Sequence, residues 1–414
     1  MESSVWTLNS IKEINMATDV FVAGIGCISA LGTGVPNQRG ALISGKTGVV
    51  PLTLFNTIHK VRAGEVSRSN EELRINLGLS EGKEYSRTTL LGLVAAKEAL
   101  EDSALRIDGL RVGLISATSV GGMDVSELFY REYLPDNRRG RLRQLIGHDC
   151  GASTQFIYRQ LGLNGFCTTI NTACSSANNA IMLGARMIKS GLVDAVIAGG
   201  TDSLCRFTVN GFSSLGILDS EHCKPFDAER KGLNLGEGAG YLLLVSDKIG
   251  CKKRYCRVSG YANANDAFHQ TASSPNGEGA FLAMKGAFEM SKITAGEIGY
   301  INVHGTGTQN NDASEAIAMH RLFGDSIPPF SSTKGYTGHA LGAAGGIESV
   351  FTILALEGGY VWPNINFSSK MDECAHPPQT KLLTGINMHA AMTNSFGFGG
   401  NCTTLIFDKK LDSV

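Results

Sequence analysis

At 414 residues, with 43% hydrophobic and 18% charged content, the chain is long enough to bury one large core or two fused ones. A net charge of −1 without basic runs excludes the usual electrostatic footprint of a nucleic-acid binder. Ten scattered cysteines with neither CxxC pairs nor metal-ligand spacing read as reduced thiols, which points to the cytoplasm. The opening MESSVWTLNSIKEINMATDV lacks the apolar core of a signal peptide. No window approaches eighteen uninterrupted apolar residues, so no membrane span is expected.

Order is expected to begin at DVFVAGIGCISALG, Asp19 to Gly32, an apolar strand running into a glycine turn. Its GIGCIS run falls short of GxGxxG, and no acidic residue follows a second strand, which argues against a dinucleotide loop. Tyr85 to Leu105 carries a helical apolar stripe, and RVGLISATSVGGMD supplies a strand and a turn at Gly121 and Gly122. The segment from Val125 to Asn164 is more polar and reads as an irregular insertion capping the sheet edge. Its Arg138, Arg139, Arg141 and Arg143 fit a solvated loop better than a binding patch.

In TTINTACSSANNAIMLGARMI, a β-branched run at Thr168, Thr169 and Ile170 gives way to a small polar segment. Apolar residues then recur at helical spacing through Ile188. Cys174 therefore falls where a strand turns into a helix, and the free amides and positive end of that helix are expected to favour its thiolate. The competing reading, one more buried small residue, stays open at this point.

Further strands are expected at Val193 to Leu204 and within Phe226 to Asp247, and a second half opens at CRVSGYANANDAFHQTASS. There follow a helix at Gly279 to Ser291, a strand ending at His304, a helix from Asp312 to Phe323 and the strand PFSSTK. The glycine turn GYTGHALGAAGGIES, a helix through Leu356 and the closing AAMTNSFGFGGNCTTLIFDK complete the chain. With no Pro-, Ser- or charge-rich linker, two similar α/β halves, 19–250 and 251–414, are expected to pack as one unit. Cys174, His304 and the pair Lys334 and His339 all sit on strand-end turns, the usual edge for an α/β active site. The turn SFGFGG is suited to bring backbone amides to Cys174 as an oxyanion hole.

Taken together these residues resemble the β-ketoacyl-acyl carrier protein synthases of the synthase I/II type, condensing enzymes of the thiolase superfamily. The resemblance runs from about Asp19 to the end. It rests on TACSSA around Cys174, PFDAERKGLNLGEGAG, VHGTGTQNND around His304, SSTKGYTGHALGAAGG around Lys334 and His339, and NSFGFGG around Phe398. It implies a thiolase-like, duplicated α-β-α-β-α five-layered fold. It further implies that Cys174 accepts an acyl group from a carrier protein, with the amides of Cys174 and Phe398 as oxyanion hole. His304 and His339 would hold the malonyl thioester for decarboxylation, and Lys334 would support them with Glu348 as partner.

By the same resemblance Phe398 is a gate hinged by Gly397, Gly399 and Gly400. It faces a mobile loop from Asn265 to Thr271 that includes Asp266 and His269. Phe226 would help exclude water, and Val120 and Phe212 would belong to the acyl pocket. No metal or organic cofactor is implied, beyond a structural monovalent cation near Asn394 and Ser395. The implied partners are acyl- and malonyl-loaded carrier protein, and either a second copy or a chain-length-factor-like subunit. Arg74, Lys83, Arg87 and the Arg138 to Arg143 cluster are the docking candidates.

Synthase III enzymes carry Asn where His339 stands, and thiolases end with a second catalytic Cys, for which only Cys402 in the last strand is available. The runs HDCGAST, GLNLGEGAGYL and SGYANANDAFHQTASSP look closest to ketosynthases of aryl polyene and flexirubin-type pathways, ahead of housekeeping elongation. A non-condensing partner subunit is the alternative that retention of Cys174 argues against.

Overall fold

The computed structural model describes residues 18–409. Ten strands form its main sheet. They are β1 (Val20–Ser29), β2 (Val112–Ala117), β3 (Cys167–Ile170), β4 (Ala195–Asp202), β5 (Gly238–Ser246), β6 (Cys256–Asn265), β7 (Ile298–Asn302), β8 (Phe330–Ser331), β9 (Ala390–Phe396) and β10 (Asn401–Asp408). The helices that matter for the site are α1 (Arg87–Ser103), α2 (Met123–Tyr133), α3 (Cys150–Gln160), α4 (Ser176–Lys189), α5 (Arg206–Ser214), α6 (Glu278–Ser291), α7 (Gln309–Phe323) and α8 (Ala344–Gly358).

The strand order is β8-β7-β9-β10-β6-β1-β5-β4-β2-β3, with the short strand Gly32–Thr33 folded back on β1. Each strand of the first five has its counterpart five places later. β2 lies parallel to β3 and β4, as β7 does to β8 and β9. The antiparallel β4-β5-β1 run is matched by β9-β10-β6. A register shift between Val22 and Gly24 recurs between Val258 and Gly260. The halves join through the antiparallel pairs Phe21–Arg257 and Val22–Cys256.

The repeat extends to the packing. A Cβ on Gly24 would lie 2.1 Å from Ala99 O of α1, and one on Gly260 would lie 2.2 Å from Ala287 O of α6. Glycine at both sites lets a helix lie directly on its strand. α1 and α3 cover the outer face of the first half and α6 and α7 that of the second, while α4 and α8 pack together between the halves. Five layers result, in the order helix, sheet, helix, sheet, helix. α8 is buried without interruption from Ala344 to Leu356, as a helix apolar on every side should be. The helical stretch Leu341–Gly358 is long and apolar enough to cross a membrane, but 89% of it is buried inside the protein. All ten cysteines are free thiols.

The segment expected to be an irregular insertion is mostly helical. It contains most of α2 and all of α3, and α3 packs on β2, β3 and α1. It therefore takes the place in the first half that α7 takes in the second. The Asp149 carboxylate caps the Gly151 N–H at 2.5 Å, a short-range start signal that polar composition obscured.

Candidate active site

The duplication determines where the chemistry gathers. Cys174 lies on the turn between β3 and α4, and Lys334 and His339 lie on the matching turn between β8 and α8. His304 follows β7, the counterpart of β2. Cys174, His304 and His339 line one cavity of about 350 Å³, together with Phe212, Phe396, Gly397, Phe398, Gly399 and Gly400.

Cys174 is 6% exposed. The residue before it, Ala173, has φ 54°, a left-handed conformation that costs a non-glycine residue on the order of 1–3 kcal/mol and persists only where its surroundings impose it. Here the Ser119 hydroxyl donates to Ala173 O at 3.3 Å, and the Ser176 hydroxyl donates to the same oxygen at 2.5 Å. The Phe398 amide bonds the thiol, and a Cβ on Gly397 would lie 2.6 Å from Thr172 O. Only glycine lets the SFGFGG turn approach the Cys174 turn this closely.

Burial pushes the Cys174 thiol up to about 12; Lys334 and the Phe398 amide oppose this, while Asp202 and Glu348 add to it. The free enzyme thus holds a thiol, where the sequence suggested a thiolate. The desolvation of a fully enclosed sulfur outweighs the end of one helix, whose effect is typically below about 2 kcal/mol.

The opposite turn carries charge. Lys334 Nζ donates to His304 O at 2.6 Å and to Glu348 Oε1, and lies 3.4 Å from His304 Nδ1. An ammonium has only donors, so His304 Nδ1 must accept and the ring proton sits on Nε2. Burial, and then the Lys334 charge, hold both His304 and His339 well below the ordinary histidine range. Both rings are neutral at working pH, and their centroids lie 5.3 Å apart. His339 Nδ1 is buried without a partner among the described residues. Glu348 is raised to about 7 by burial, against the pull of Lys334.

Two carboxylates that the sequence reading did not single out hold these turns. Glu315, from α7, accepts the His304 and Gly305 amides at 2.9 and 2.8 Å and the Asn394 side-chain amide at 3.1 Å. Asp202, at the end of β4, accepts the Ser119, Val120 and Gly342 amides at 2.9, 3.1 and 2.7 Å. The signal for Glu315 was its position eleven residues after His304, on the face of α7 that turns back to the strand end.

Phe398, 36% exposed, stacks on Phe212 with centroids 5.9 Å apart. Gly399 and Gly400 have φ 83° and 82°. Their backbones are tied to the facing loop, with Gly399 N donating to Gln270 O at 2.7 Å and Asp266 N to Gly400 O at 2.8 Å. Asp266 anchors that loop by accepting from the Ser274 amide and hydroxyl, both at 2.6 Å, and from Gly279 N at 3.0 Å. His269 and Thr271 are exposed on the cavity rim.

Other expected residues lie elsewhere. Phe226 is fully buried behind the site, its ring 5.2 Å from that of Phe330 and under Gly305, and does not line the cavity. Val120 belongs to a small apolar cluster with Leu204, Val209 and Leu341, against which Phe212 packs. Arg87 cannot be a docking residue. It is 3% exposed and makes a two-pronged bond to Glu237 at 2.6 and 2.8 Å. Arg74 is held by Glu71, and Arg138 and Arg139 share Asp136. Asn394 spends its side chain on Glu315 and Thr404, and the Ser395 hydroxyl is spent on Cys174 O. No step is assigned to a cation there.

Comparison with known proteins agrees with this arrangement. Residues 17–248 match the family profile "Beta-ketoacyl synthase, N-terminal domain", and residues 255–368 match the corresponding C-terminal domain. The 3-oxoacyl-[acyl-carrier-protein] synthase 2 of Staphylococcus aureus (strain COL) is 31% identical over 94% of this chain and 98% of its own length. A structure titled "The ishigamide ketosynthase/chain length factor" superposes with TM-score 0.90 at 29% identity, covering 95% of this chain and 100% of the other. A ketosynthase (ApeO) from Xenorhabdus doucetiae, solved with its chain length factor (ApeC), gives TM-score 0.82 at 32% identity over 94% and 98%. The chain belongs to the β-ketoacyl synthase family.

Proposed function

We propose that the protein is a β-ketoacyl-[acyl-carrier-protein] synthase in which Cys174 carries the acyl chain and His304 and His339 drive decarboxylation of malonyl-carrier protein. The observation that carries this reading is the meeting of a buried thiol and two neutral imidazoles in one cavity, with the proton of His304 directed to Nε2 by Lys334.

In the first half-reaction the Cys174 sulfur attacks the acyl thioester of the carrier protein. A thiol near 12 has almost no thiolate at pH 7, so its proton must leave as the sulfur attacks, and the departing carrier thiolate takes that proton up. The oxyanion forms beside the Cys174 and Phe398 amides, a donor pair of the kind worth about 10²–10³-fold per donor. The carrier thiol leaves with a proton, and the acyl group remains on sulfur.

In the second half-reaction the malonyl thioester oxygen accepts the Nε2–H of the two histidines. Carbon dioxide departs, and its bonding electrons pass into the enolate so stabilised. The enolate carbon attacks the acyl-Cys174 carbonyl. Collapse expels the Cys174 sulfur, which recovers a proton, and the product is a β-ketoacyl chain two carbons longer on the carrier. Neutral imidazoles suit this step: an imidazolium would transfer its proton and quench the carbanion.

The acyl chain is of fatty or aryl-polyenoyl type, it is delivered by a carrier protein docked at the surface, and the site works within a homodimer or beside a chain-length-factor-like subunit. A cytoplasmic location is part of this reading, supported by ten free thiols. The experiment is a condensation assay with malonyl-carrier protein and carriers bearing saturated, polyenoyl or aryl-polyenoyl chains, run with and without candidate second subunits. Release of carbon dioxide with a product extended by two carbons is expected. Failure to release carbon dioxide under every combination would turn the assignment over to a non-condensing subunit.

A further inference from the structure

We propose that Asp202 is a positioning residue that holds the nucleophile turn, the pocket turn Thr118–Val120 and the His339–Gly342 turn in one register. The inference rests on the reading of Cys174 as the acylated residue and adds to it a group that touches none of the reacting atoms.

Asp202 is fully buried at the end of β4, and no cation answers its charge among the described residues. Its carboxylate is satisfied by convergent donors. Oδ1 takes the Thr118 hydroxyl at 2.5 Å, Ser119 N at 2.9 Å and Val120 N at 3.1 Å. Oδ2 takes Gly342 N at 2.7 Å. Bonds from amides to an ionised acceptor are the short, strong kind, and an anion enclosed this way is stable without a counter-ion only while every donor points inward.

The donors come from two turns, Thr118–Val120 and the one that carries Gly342. Ser119 passes the constraint on, since its own hydroxyl caps Ala173 O at 3.3 Å, and Ala173 is the strained residue immediately before Cys174. Val120 N belongs to the turn that backs the Phe212 side of the cavity. Gly342 follows His339 by three residues, and a Cβ there would lie 2.9 Å from Asp202 Oδ2 and 2.7 Å from Ser119 Oγ. The close approach that glycine allows is thus used to bring the histidine turn onto the same carboxylate. The second half of the molecule contains the same device. Glu315 accepts the two consecutive amides His304 and Gly305 after β7, as Asp202 accepts Ser119 and Val120 after β2.

A carboxylate so placed predicts separable effects on the two half-reactions. Asp202→Asn keeps the volume but puts an NH2 group in place of one carboxylate oxygen, so either the Gly342 amide or the Thr118–Val120 donors face a donor and the two turns lose their shared anion. Ser119→Ala removes only the link to the nucleophile turn. Misplacement by about 1 Å is enough to cost about 10²-fold in rate.

The experiment measures Cys174 acylation by intact mass over time, and carbon dioxide release from malonyl-carrier protein, for both variants. Thermal unfolding and circular dichroism report the folded fraction. In the folded Asp202→Asn protein both rates are expected to fall by about 10²-fold. In Ser119→Ala, acylation is expected to fall at least tenfold further than decarboxylation. A residue that only supported the fold would lower the melting temperature and leave the rates of the folded fraction unchanged, and that result overturns the proposal. If Asp202→Asn does not fold, Ser119→Ala decides, and equal effects on the two rates overturn it. Cys174→Ala is the control: acyl transfer persisting in that variant would count against the nucleophile assignment and not against Asp202.

Discussion

The turn between β3 and α4 and the turn between β8 and α8 occupy the same place in the two halves, yet they are built for opposite tasks. The first buries a thiol next to the left-handed residue Ala173, and that burial raises it to about 12. The second encloses an ammonium–carboxylate pair, Lys334 with Glu348, that fixes the proton of a neighbouring imidazole. Duplication supplied two equivalent sites at one sheet edge. In the function proposed above, their divergence separates the group that acts as nucleophile and leaving group from the groups that donate to an enolate without surrendering a proton.

The sharpest way to break this comparison is to remove one side at a time. Cys174→Ala is expected to lower condensation by more than about 10³-fold while leaving malonyl decarboxylation within about tenfold. His339→Ala is expected to do the reverse, abolishing carbon dioxide release while acylation continues. Acylation by intact mass and release of labelled carbon dioxide read the two arms separately.

Lys334→Met tests the charged turn. It leaves Glu348 buried without its partner, a loss expected to cost about 3–5 kcal/mol of stability, and it frees His304 from its tautomer. Thermal unfolding and decarboxylation should fall together. Arg87→Ala is expected to cost a similar amount, about 3–5 kcal/mol, through the abandoned Glu237. The apparent KM for carrier protein should stay unchanged at a temperature where the variant is folded, because Arg87 does not reach the surface.

The pH dependence sharpens the same point. Burial and Lys334 hold both histidines well below 6.5. Their folded values are depressed, so the stability they contribute is present above the unfolded value near 6.5 and is lost as pH falls toward the folded values. Decarboxylation should accordingly show no transition centred at 6.5 in a pH–rate profile, and one found there would mean that the imidazoles titrate freely. The smallest effect is expected at the gate. Phe398→Leu gives up the stacking on Phe212, worth about 0.5–1.5 kcal/mol, and should shift the acyl-chain preference more than the rate, as read from the product distribution.

Much of this site was legible because strand-to-helix turns announce themselves locally. TACSSA, VHGTG and STKGYTGHA place small or glycine residues around Cys174, around His304 and around the pair Lys334 and His339, SFGFGG adds a glycine turn, and all four reach one edge of the fold. What remained hidden depends on partners distant in sequence. Arg87 and Glu237 are 150 residues apart, so the arginine read as surface charge. Asp202 lies 83 residues from Ser119 and 140 from Gly342, and inside the strand expected at Val193 to Leu204 nothing local marked it as an acceptor for distant turns. Phe226 was expected to help exclude water, and its ring is fully buried directly behind the His304 turn without lining the cavity, a placement its motif alone does not give. The thiol misled for a related reason. A helix terminus is visible in sequence, whereas the completeness of burial that overrides it belongs to the assembled fold.

The central claim is that the first-half turn carries the acyl chain. Its most direct measurement is the intact mass, with peptide mapping, of the protein and its Cys174→Ala variant after incubation with acyl-loaded carrier protein. The account predicts a single acyl adduct mapping to Cys174 and absent from the variant. An adduct of equal yield in the variant, or none in either protein with every chain and second subunit supplied, would contradict it.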